Sequence, residues 1–223
     1  MPEPLTPRSL ERRLKRHLLK ESQEFFAICA PGFEEITKAD IEHLAETKVI
    51  KTETGGVTFQ GNLDAMYHTN LQLRTAHRVL LRVDEWLAQS YPMLFNKVKK
   101  IPWELYLGFS KSYTIQVSAK ESRLHQHKTI AKTLHDGITE YLQPLGLSPK
   151  LRNDTPLEIH ARFFQDRCTL SVNTSGEHLH KRGYRQLVSE APIRETLAAS
   201  ILQGLEPQRY DTLVDPMCGS GTF

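Results

Sequence analysis

The most informative segment of the chain is YDTLVDPMCGSGTF, residues 210–223. Its short apolar run closes on Asp215 and opens a Gly-x-Gly turn at Gly219 and Gly221. A parallel sheet presents such a loop to an adenosine-type cofactor, because glycine lets the backbone approach the ligand closely. We therefore predict a strand at 212–214 and a cofactor site in the turn that follows it.

The residue types in this turn favour a cofactor that carries an amino group. Asp215, at the carboxyl end of the predicted strand, can accept hydrogen bonds from a cationic amine. No Gly-Lys-Ser/Thr follows, which disfavours a phosphate-cradling loop, and the third glycine of a dinucleotide site is not in the sequence. S-adenosylmethionine therefore fits better than ATP or NAD. The predicted cofactor-binding residues are Asp215, Pro216, Gly219, Ser220 and Gly221.

Three segments together resemble the THUMP-domain RNA methyltransferases. They are the octet at 215–222, the block GEHLHKRGYR at 176–185 and the block APIRETLAA at 191–199. Residues 24–61, with Pro-Gly-Phe-Glu-Glu early and Gly-Gly-Val-Thr-Phe-Gln-Gly at the end, are similar to the ferredoxin-like start of the same enzymes. Within that family, the chain is most similar to members that methylate the exocyclic amine of a guanine in large-subunit ribosomal RNA.

The resemblance implies an α+β fold with a defined domain order. We expect a basic N-terminal extension at 1–22, a ferredoxin-like unit at 23–65, a THUMP RNA-binding domain at 66–175, a linker at 176–191, and the first helix, strand and glycine turn of a Rossmann-like methyltransferase domain at 192–223. In the family, that helix and the glycine turn together line the cofactor site. Glu195 and Thr196 are therefore further predicted cofactor contacts.

The sequence also departs from the family. Enzymes of this kind carry an Asn/Asp-Pro-Pro-Tyr/Phe segment downstream of the glycine turn, which holds the target base and its amine. No Pro-Pro pair occurs in the 223 residues, and the helix and second strand that would follow the turn are absent as well. We therefore assign no catalytic residue and expect this chain alone to be inactive, as the RNA-recognition portion of such an enzyme with the catalytic half missing.

The net charge of +3 is modest, but its distribution is uneven. Residues 97–185 hold 15 Lys and Arg against 8 Asp and Glu, and residues 1–20 hold 6 against 2. Residues 21–96 are acidic, with 6 basic against 11 acidic side chains. Such an asymmetry is typical of a chain that binds a polyanion, since each neutralised phosphate releases counterions. Structured RNA, large-subunit ribosomal RNA in particular, is the predicted partner.

Three basic groups are candidates for RNA contact. A dense basic turn can bind phosphate through arginine and stack a base on tyrosine, and a helix N-terminus adds its own partial positive charge. The first group is Lys181, Arg182, Tyr184 and Arg185; the second is Lys120, Arg123, His125, His127 and Lys128; the third and weakest is Lys97, Lys99 and Lys100. An interdomain hinge with Tyr184 buried is the alternative for the first group.

Hydrophobic periodicity predicts the secondary structure. The predicted strands are 25–28, 49–51, 57–59, 79–83, 113–117, 157–163 and 168–172, the last two forming a hairpin around 165–167. The predicted helices are 33–45, a short helix capped by Asn62, 95–101, 127–142 and a helix that starts at Pro192 and stops at Gly204. In that last helix, Ile193, Leu197 and Ile201 are the predicted core face.

Residues 7–20 predict a basic amphipathic helix, with leucines every four residues between arginines and lysines. This helix could pack on the rest of the protein, contact RNA, contact an anionic membrane or act as a targeting segment. A poorly ordered extension is the other alternative.

Other site types are disfavoured. Three widely spaced cysteines argue against a disulfide scaffold and for a reducing cytosol, so the predicted location is cytoplasmic. His178 and His180, like His125 and His127, have no carboxylate or cysteine at metal-ligand spacing, so no metal is predicted. No apolar run is long enough to cross a membrane.

A free-standing RNA-binding module and a fragment of a DNA amino-methyltransferase remain alternative functions.

Overall fold

The computed structural model describes residues 4–19, 22–153, 155–183 and 193–223. These residues divide into two compact units. The first unit takes its residues from the ranges 1–22 and 81–176, and the second from 23–80 and 177–223. Both units mix helices with strands, so the predicted α+β class is confirmed. Within the described ranges, no helix is long and apolar enough to cross a bilayer.

The second unit has helices packed beside a small antiparallel sheet. Its elements are β1 (Gln23–Ile28), α2 (Glu34–Glu42), β2 (Thr47–Glu53), β3 (Gly56–Gly61), α3 (Leu63–Gln72) and α7 (Glu195–Leu205), followed by one 3₁₀ turn at Pro207–Arg209. The strand order is β2-β3-β1, and β3 is antiparallel to both neighbours. The core of this sheet includes Phe25 and Phe59, whose rings stack 5.4 Å apart.

Helix α3 begins at the predicted cap. The side chain of Asn62 accepts a hydrogen bond of 2.8 Å from the backbone amide of Ala65, which satisfies one of the free amides of the first turn. We expect Asn62→Ala to lower the free energy of unfolding by about 1 kcal/mol, measured by urea denaturation. Asn62→Ser keeps an acceptor and is the control. An equal loss in both variants would mean that the cap is not the cause.

The first unit is built on a mixed sheet. Its elements are α1 (Pro7–Leu14) with a π-helical turn at Lys15–Leu19, β4 (Arg78–Leu87, of which 81–87 lie in this unit), α4 (Tyr91–Val98), α5 (Glu104–Leu107), β5 (Ser112–Lys120), α6 (His127–Leu142), a 3₁₀ turn at Gln143–Leu145, β6 (Lys150–Leu151), β7 (Glu158–Phe164) and β8 (Arg167–Asn173). The strand order is β4-β8-β7-β5-β6. β5 runs parallel to β6 and β7, whereas β7 and β8 are antiparallel.

Helix α6 is the central helix of the first unit, and its predicted limits are confirmed. Its apolar stripe of Ile130, Leu134, Ile138 and Leu142 is completely buried. α4 packs on the same helix, and Gly137 makes room for it because a side chain there would meet Val98 at 3.0 Å. Because α6 is packed in this core, the orientation of the helix and of its N-terminus is fixed.

Several predicted boundaries move. The helix predicted at 95–101 spans Tyr91–Val98, because the Ser90 side chain caps it and Pro92 occupies its first turn. Gly204, the predicted stop of the last helix, lies inside α7, which ends at Leu205. The strand predicted at 79–83 extends over Arg78–Leu87. The predictions of the helix at 95–101 and the strand at 79–83 rest on apolar residues alone, whereas the predicted stop at Gly204 rests on its glycine.

The strand predicted at 212–214 is wrong. These residues have no regular secondary structure, and Val214 is 74% exposed. A strand is stable only when a neighbour accepts and donates its backbone hydrogen bonds. The described residues of the second unit place no strand beside this segment.

The predicted core face of the last helix is also wrong. Ile193, Leu197 and Ile201 are only half-buried, whereas Thr196, Ala198 and Ser200 are buried. Small side chains allow two helices to pack closely, and α7 packs closely on α2. A side chain added at Gly204 would meet Ile36 at 3.0 Å. The predicted start at Pro192 lies outside the described residues.

Candidate nucleic-acid interface

The second predicted basic group lies on the loop that joins β5 to α6, residues 120–128, which we call the basic loop. Lys120 ends β5, Arg123 lies in the middle, and Lys128 occupies the first turn of α6. The side chains of Lys120 and Arg123 are 78% and 68% exposed. The loop therefore presents at least three cations to solvent within nine residues.

The basic loop is held in place by the turn of the β7–β8 hairpin. The carboxylate of Asp166 accepts a hydrogen bond of 2.7 Å from the backbone amide of Arg123 and lies 3.4 Å from its guanidinium. In return, the hydroxyl of Ser122 accepts a bond of 3.0 Å from the backbone amide of Asp166. Gln165 and Asp166 both have positive φ, as a two-residue hairpin turn requires. Arg167, predicted in the turn, begins β8 instead.

The N-terminus of α6 adds a partial positive charge to the basic loop. The side chain of its cap residue Gln126 accepts a hydrogen bond from the hydroxyl of Thr129 and none from a backbone amide of the first turn, which contains no acidic residue. The backbone amides of a first turn have no partner inside the helix, so they face whatever approaches its end. Lys128 and Lys132, one turn apart, are both exposed on this helix. The arrangement suits an anion with several oxygens, such as a phosphodiester.

The ion pairs of the basic loop leave its charge available. Lys120 lies 3.7 Å from Glu121, and the Arg123–Asp166 pair is partly exposed. Exposed pairs of this kind contribute about 0–1 kcal/mol, because water screens them and the side chains lose freedom. A phosphate can therefore compete for the same side chains at small cost.

Two lysines of the third basic group form ion pairs within the first unit. Lys97 lies 3.1 Å from Asp84 and over the ring of Trp86, and Lys99 lies 3.4 Å from Glu140. Lys100 is exposed. A contact of this group with RNA stays a prediction.

The first basic group is only partly described. Arg182 donates a hydrogen bond of 2.7 Å to the backbone carbonyl of Asn70, and Lys181 lies 3.5 Å from Glu177. Tyr184 and Arg185 lie outside the described residues. The described half of this group therefore makes contacts within the second unit, and its role toward RNA stays a prediction.

The predicted cofactor turn is an exposed turn with the backbone that the motif requires. Gly219 and Gly221 have φ of 53° and 69°, and a side chain at Gly221 would meet nothing within 4 Å. Asp215 accepts a hydrogen bond of 2.9 Å from the amide of Met217. Pro216 precedes the turn and Ser220 lies between the glycines. Both glycines have the positive φ that glycine allows, and cofactor binding by these five residues stays a prediction.

The two predicted contacts on α7 are placed differently. Thr196 is buried, and its hydroxyl lies 2.8 Å from Nδ1 of His77. Glu195, beside it, is half-buried at the first position of the helix. Thr196 thus has a partner inside the second unit, and a contact with cofactor remains a prediction for Glu195 and Thr196.

A histidine cluster surrounds His77 in the second unit. The rings of His178 and His180 stack 5.4 Å apart, and Nε of Arg78 donates to Nδ1 of His178 across 3.4 Å. Burial, with the nearby positive charge of Arg78, lowers the pKa of His178 to about 4. Burial also lowers the pKa of His77. In the described ranges, no group of three or more His, Cys, Asp or Glu side chains is placed to hold a metal ion.

These lowered pKa values make stability depend on pH. Because the folded state binds the proton of His178 less readily than the unfolded state, the free energy of unfolding should fall as pH drops from about 6.5 through about 4. We expect His178→Gln to flatten this decline, measured by urea denaturation at half-unit pH steps. His125→Gln, an exposed histidine of the first unit, is the control. Parallel profiles for wild type and His178→Gln would contradict the prediction.

Two residues of the interface were missed from the sequence. Lys132 could have been found, because it lies four residues after Lys128 on the same helix and therefore on the same face. The role of Asp166 had no local signal, since it bonds to a residue 43 positions away.

Three family models match successive parts of the chain. Residues 24–80 match the RlmL ferredoxin-like domain, residues 88–173 the THUMP domain, and residues 182–223 the RMKL-like methyltransferase domain. The chain therefore combines a ferredoxin-like domain of the RlmL type, a THUMP domain and a segment of a methyltransferase domain. The resemblance given by the sequence motifs is confirmed.

The relatives agree with this domain combination. The chain is 33% identical over 206 residues to "Ribosomal RNA large subunit methyltransferase K/L" of Cellvibrio japonicus, covering 90% of this chain and 27% of the relative. A predicted N6-adenine-specific DNA methylase from Listeria monocytogenes is similar in structure, with a TM-score of 0.77, 30% identity, and coverage of 91% of this chain and 53% of the other.

Another solved structure, described as a methyltransferase complexed with SAH, has a TM-score of 0.76 and 28% identity, covering 92% of this chain and 54% of the other. The chain thus spans about a quarter of the length of the curated relative and about half the length of these solved chains.

Proposed function

We propose that this chain is the RNA-recognition part of an S-adenosylmethionine-dependent methyltransferase that modifies a guanine exocyclic amine in large-subunit ribosomal RNA. The observation that carries the proposal is the position of the basic loop, which lies inside the THUMP match at 88–173 and is fixed by Asp166. The ribosomal RNA methyltransferase named above supports the substrate class. The family resemblance supports the guanine amine as the target.

The cofactor turn has a separate role in this proposal. S-adenosylmethionine supplies the methyl group when bound, and a relative in complex with SAH supports that choice. In this chain, Asp215 would accept hydrogen bonds from the cofactor's amine, and Gly219 and Gly221 would let the backbone approach it. Transfer to an amine depends on aligning the two reactants more than on a strong base. We expect no methyl transfer by this chain alone.

The compartment follows from the cysteines. Cys29, Cys168 and Cys218 are all free thiols, two of them buried. Free thiols persist in a reducing compartment. We therefore propose a cytoplasmic location, where ribosomal RNA is also accessible.

A second candidate function is DNA amino-methylation, favoured by the Listeria relative that is named as a DNA methylase. A free-standing RNA-binding module without catalysis is the other alternative. RNA and DNA duplexes differ in groove shape and in the 2′-hydroxyl. Direct competition between them therefore distinguishes an RNA-binding function from a DNA-binding one.

The test is a competition experiment with this chain, a labelled helical fragment of large-subunit ribosomal RNA and an unlabelled DNA duplex of equal length. We expect RNA to be bound several-fold more tightly than DNA, with an affinity that falls as salt rises. Equal affinity for the two duplexes, or tighter binding of DNA, would contradict the proposal. A noncognate RNA hairpin of equal length tests whether large-subunit sequence matters.

A further inference from the structure

Residues 7–19 form a basic helix whose start is specified by its sequence. Thr6 and Ser9 make a reciprocal capping box: the Thr6 side chain accepts from the amide of Ser9, and Ser9 Oγ accepts from the amide of Thr6. Pro7 occupies the first helical position, where its missing amide costs nothing. Of the readings that the sequence left open, the structure therefore shows a helix and not an unordered extension.

The helix is anchored to the first unit by one of its faces. Leu10 is buried against this unit, close to Gly108, and the backbone amide of Leu5 donates to the carbonyl of Leu145 across 3.0 Å. Arg13 forms an ion pair with Glu104, whose side chain is only 2% exposed. A buried carboxylate needs such a partner, because leaving it uncompensated is strongly destabilising.

The anchor also includes Tyr141 of α6. Burial, together with the nearby carboxylate of Glu104, raises the pKa of Tyr141 to about 12, so its hydroxyl is neutral at physiological pH. Glu104 thus pairs with Arg13 on the basic helix and lies near Tyr141 on the central helix. This contact fixes which side of the basic helix faces away from the unit.

The outward face carries Arg8, Arg12 and Arg16, which we call the arginine row. All three side chains are exposed, and residues four apart lie on one face of a helix at a spacing of about 6 Å. Leu10, Leu14 and Leu18 are offset by two residues, so they lie on the opposite face. The only neighbouring acid on the helix, Glu11, is paired with Lys15 at 2.6 Å.

We propose that the arginine row is a second RNA-phosphate contact, held by the Arg13–Glu104 anchor on the same unit as the basic loop. The inference rests on the proposed function. Arginine binds phosphate oxygens bidentately, and because the backbone of this helix is already folded, binding does not have to order it. An amphipathic helix binds a membrane through its apolar face. Here Leu10 of that face is buried on the protein and Leu14 and Leu18 are half-buried, so the observations favour RNA over lipid.

The test compares charge-matched triple variants of the whole chain in the RNA-binding assay. The row variant replaces Arg8, Arg12 and Arg16 with glutamine; the control replaces Lys38, Lys48 and Lys51 of the second unit with glutamine. We expect the row variant to bind the ribosomal RNA fragment about five- to tenfold more weakly at low salt, with a salt slope reduced by about 2. The control should stay within twofold of wild type.

The variant Glu104→Gln tests the anchor separately. It keeps every arginine and makes the chain one unit more positive, so an effect of net charge alone would strengthen RNA binding. We expect it to weaken binding several-fold, and to expose Arg8, Arg12 and Arg16 to faster cleavage by trypsin. Leu10→Ala removes a buried contact of the basic helix without changing charge. It should likewise weaken RNA binding and speed cleavage by trypsin.

The outcomes distinguish this inference from the function on which it rests. If wild type prefers RNA and the row variant keeps wild-type affinity and slope, the arginine row is not an RNA contact. If wild type shows no preference for RNA over DNA, the proposed function fails and this inference fails with it. Loss of binding to vesicles containing anionic phosphatidylserine, with RNA binding unchanged, would assign the row to a membrane and overturn the inference.

Discussion

Replacing Trp103 with alanine should lower the free energy of unfolding by about 3–5 kcal/mol, the usual cost of removing a buried tryptophan. Trp103 is completely buried beside α5, in the core that contains α4 and α6. Its indole N–H donates a hydrogen bond of 2.8 Å to the carbonyl of Val98, and its ring meets Tyr106 edge to face. The variant therefore loses both packing and a buried hydrogen bond.

The second tryptophan gives a matched control. The indole nitrogen of Trp86 is buried without a hydrogen-bond partner among the described residues. Trp86→Phe removes this polar group and should change stability by less than about 1 kcal/mol, whereas Trp103→Phe should cost about 1–3 kcal/mol. Urea denaturation followed by the fluorescence of the remaining tryptophan measures both. Similar losses in the two phenylalanine variants would contradict the assigned role of Trp103.

Neutralising the basic loop should weaken RNA binding about tenfold or more at low salt. The variant carries Lys120→Gln, Arg123→Gln and Lys128→Gln. Each phosphate contact contributes about one unit to the slope of log affinity against log salt, so the slope should fall by 2 to 3. Fluorescence anisotropy with the ribosomal RNA fragment at four salt concentrations gives both quantities.

The same lysine triple of the second unit is the control for net charge, since Lys38, Lys48 and Lys51 lie outside the THUMP match. A slope reduced equally by both triples would mean that the basic loop acts only through overall charge. Circular dichroism should be unchanged in both variants, because all six side chains are at the surface or half-buried and none lies in the core.

Elements with a strong local signal could be predicted from the sequence. Helix α6 repeats an apolar residue every four positions over 16 residues, and these residues pack on one core, so its limits were found. Asn62 carries its cap signal within three residues of its partner. The sequence motifs were likewise sufficient to recognise the resemblance that the family models confirm.

Features that depend on distant residues could not be predicted. The run at 212–214 resembles a strand locally, but strand formation requires a neighbouring strand that the described chain does not place there. The buried face of α7 consists of small residues, and Thr196 bonds to His77, 119 positions earlier. Arg182 resembles a free RNA contact in sequence, yet it donates to Asn70, 112 positions away.

We propose that the first unit, with its THUMP domain, carries the RNA-binding surface. The most direct measurement is photo-crosslinking of a 4-thiouridine-substituted fragment of large-subunit ribosomal RNA to this chain, with the crosslinked peptides identified by mass spectrometry. We expect crosslinks at residues 120–132, and also at 8–16 if the arginine row binds RNA. Crosslinks confined to residues 34–61 of the acidic second unit would contradict this expectation.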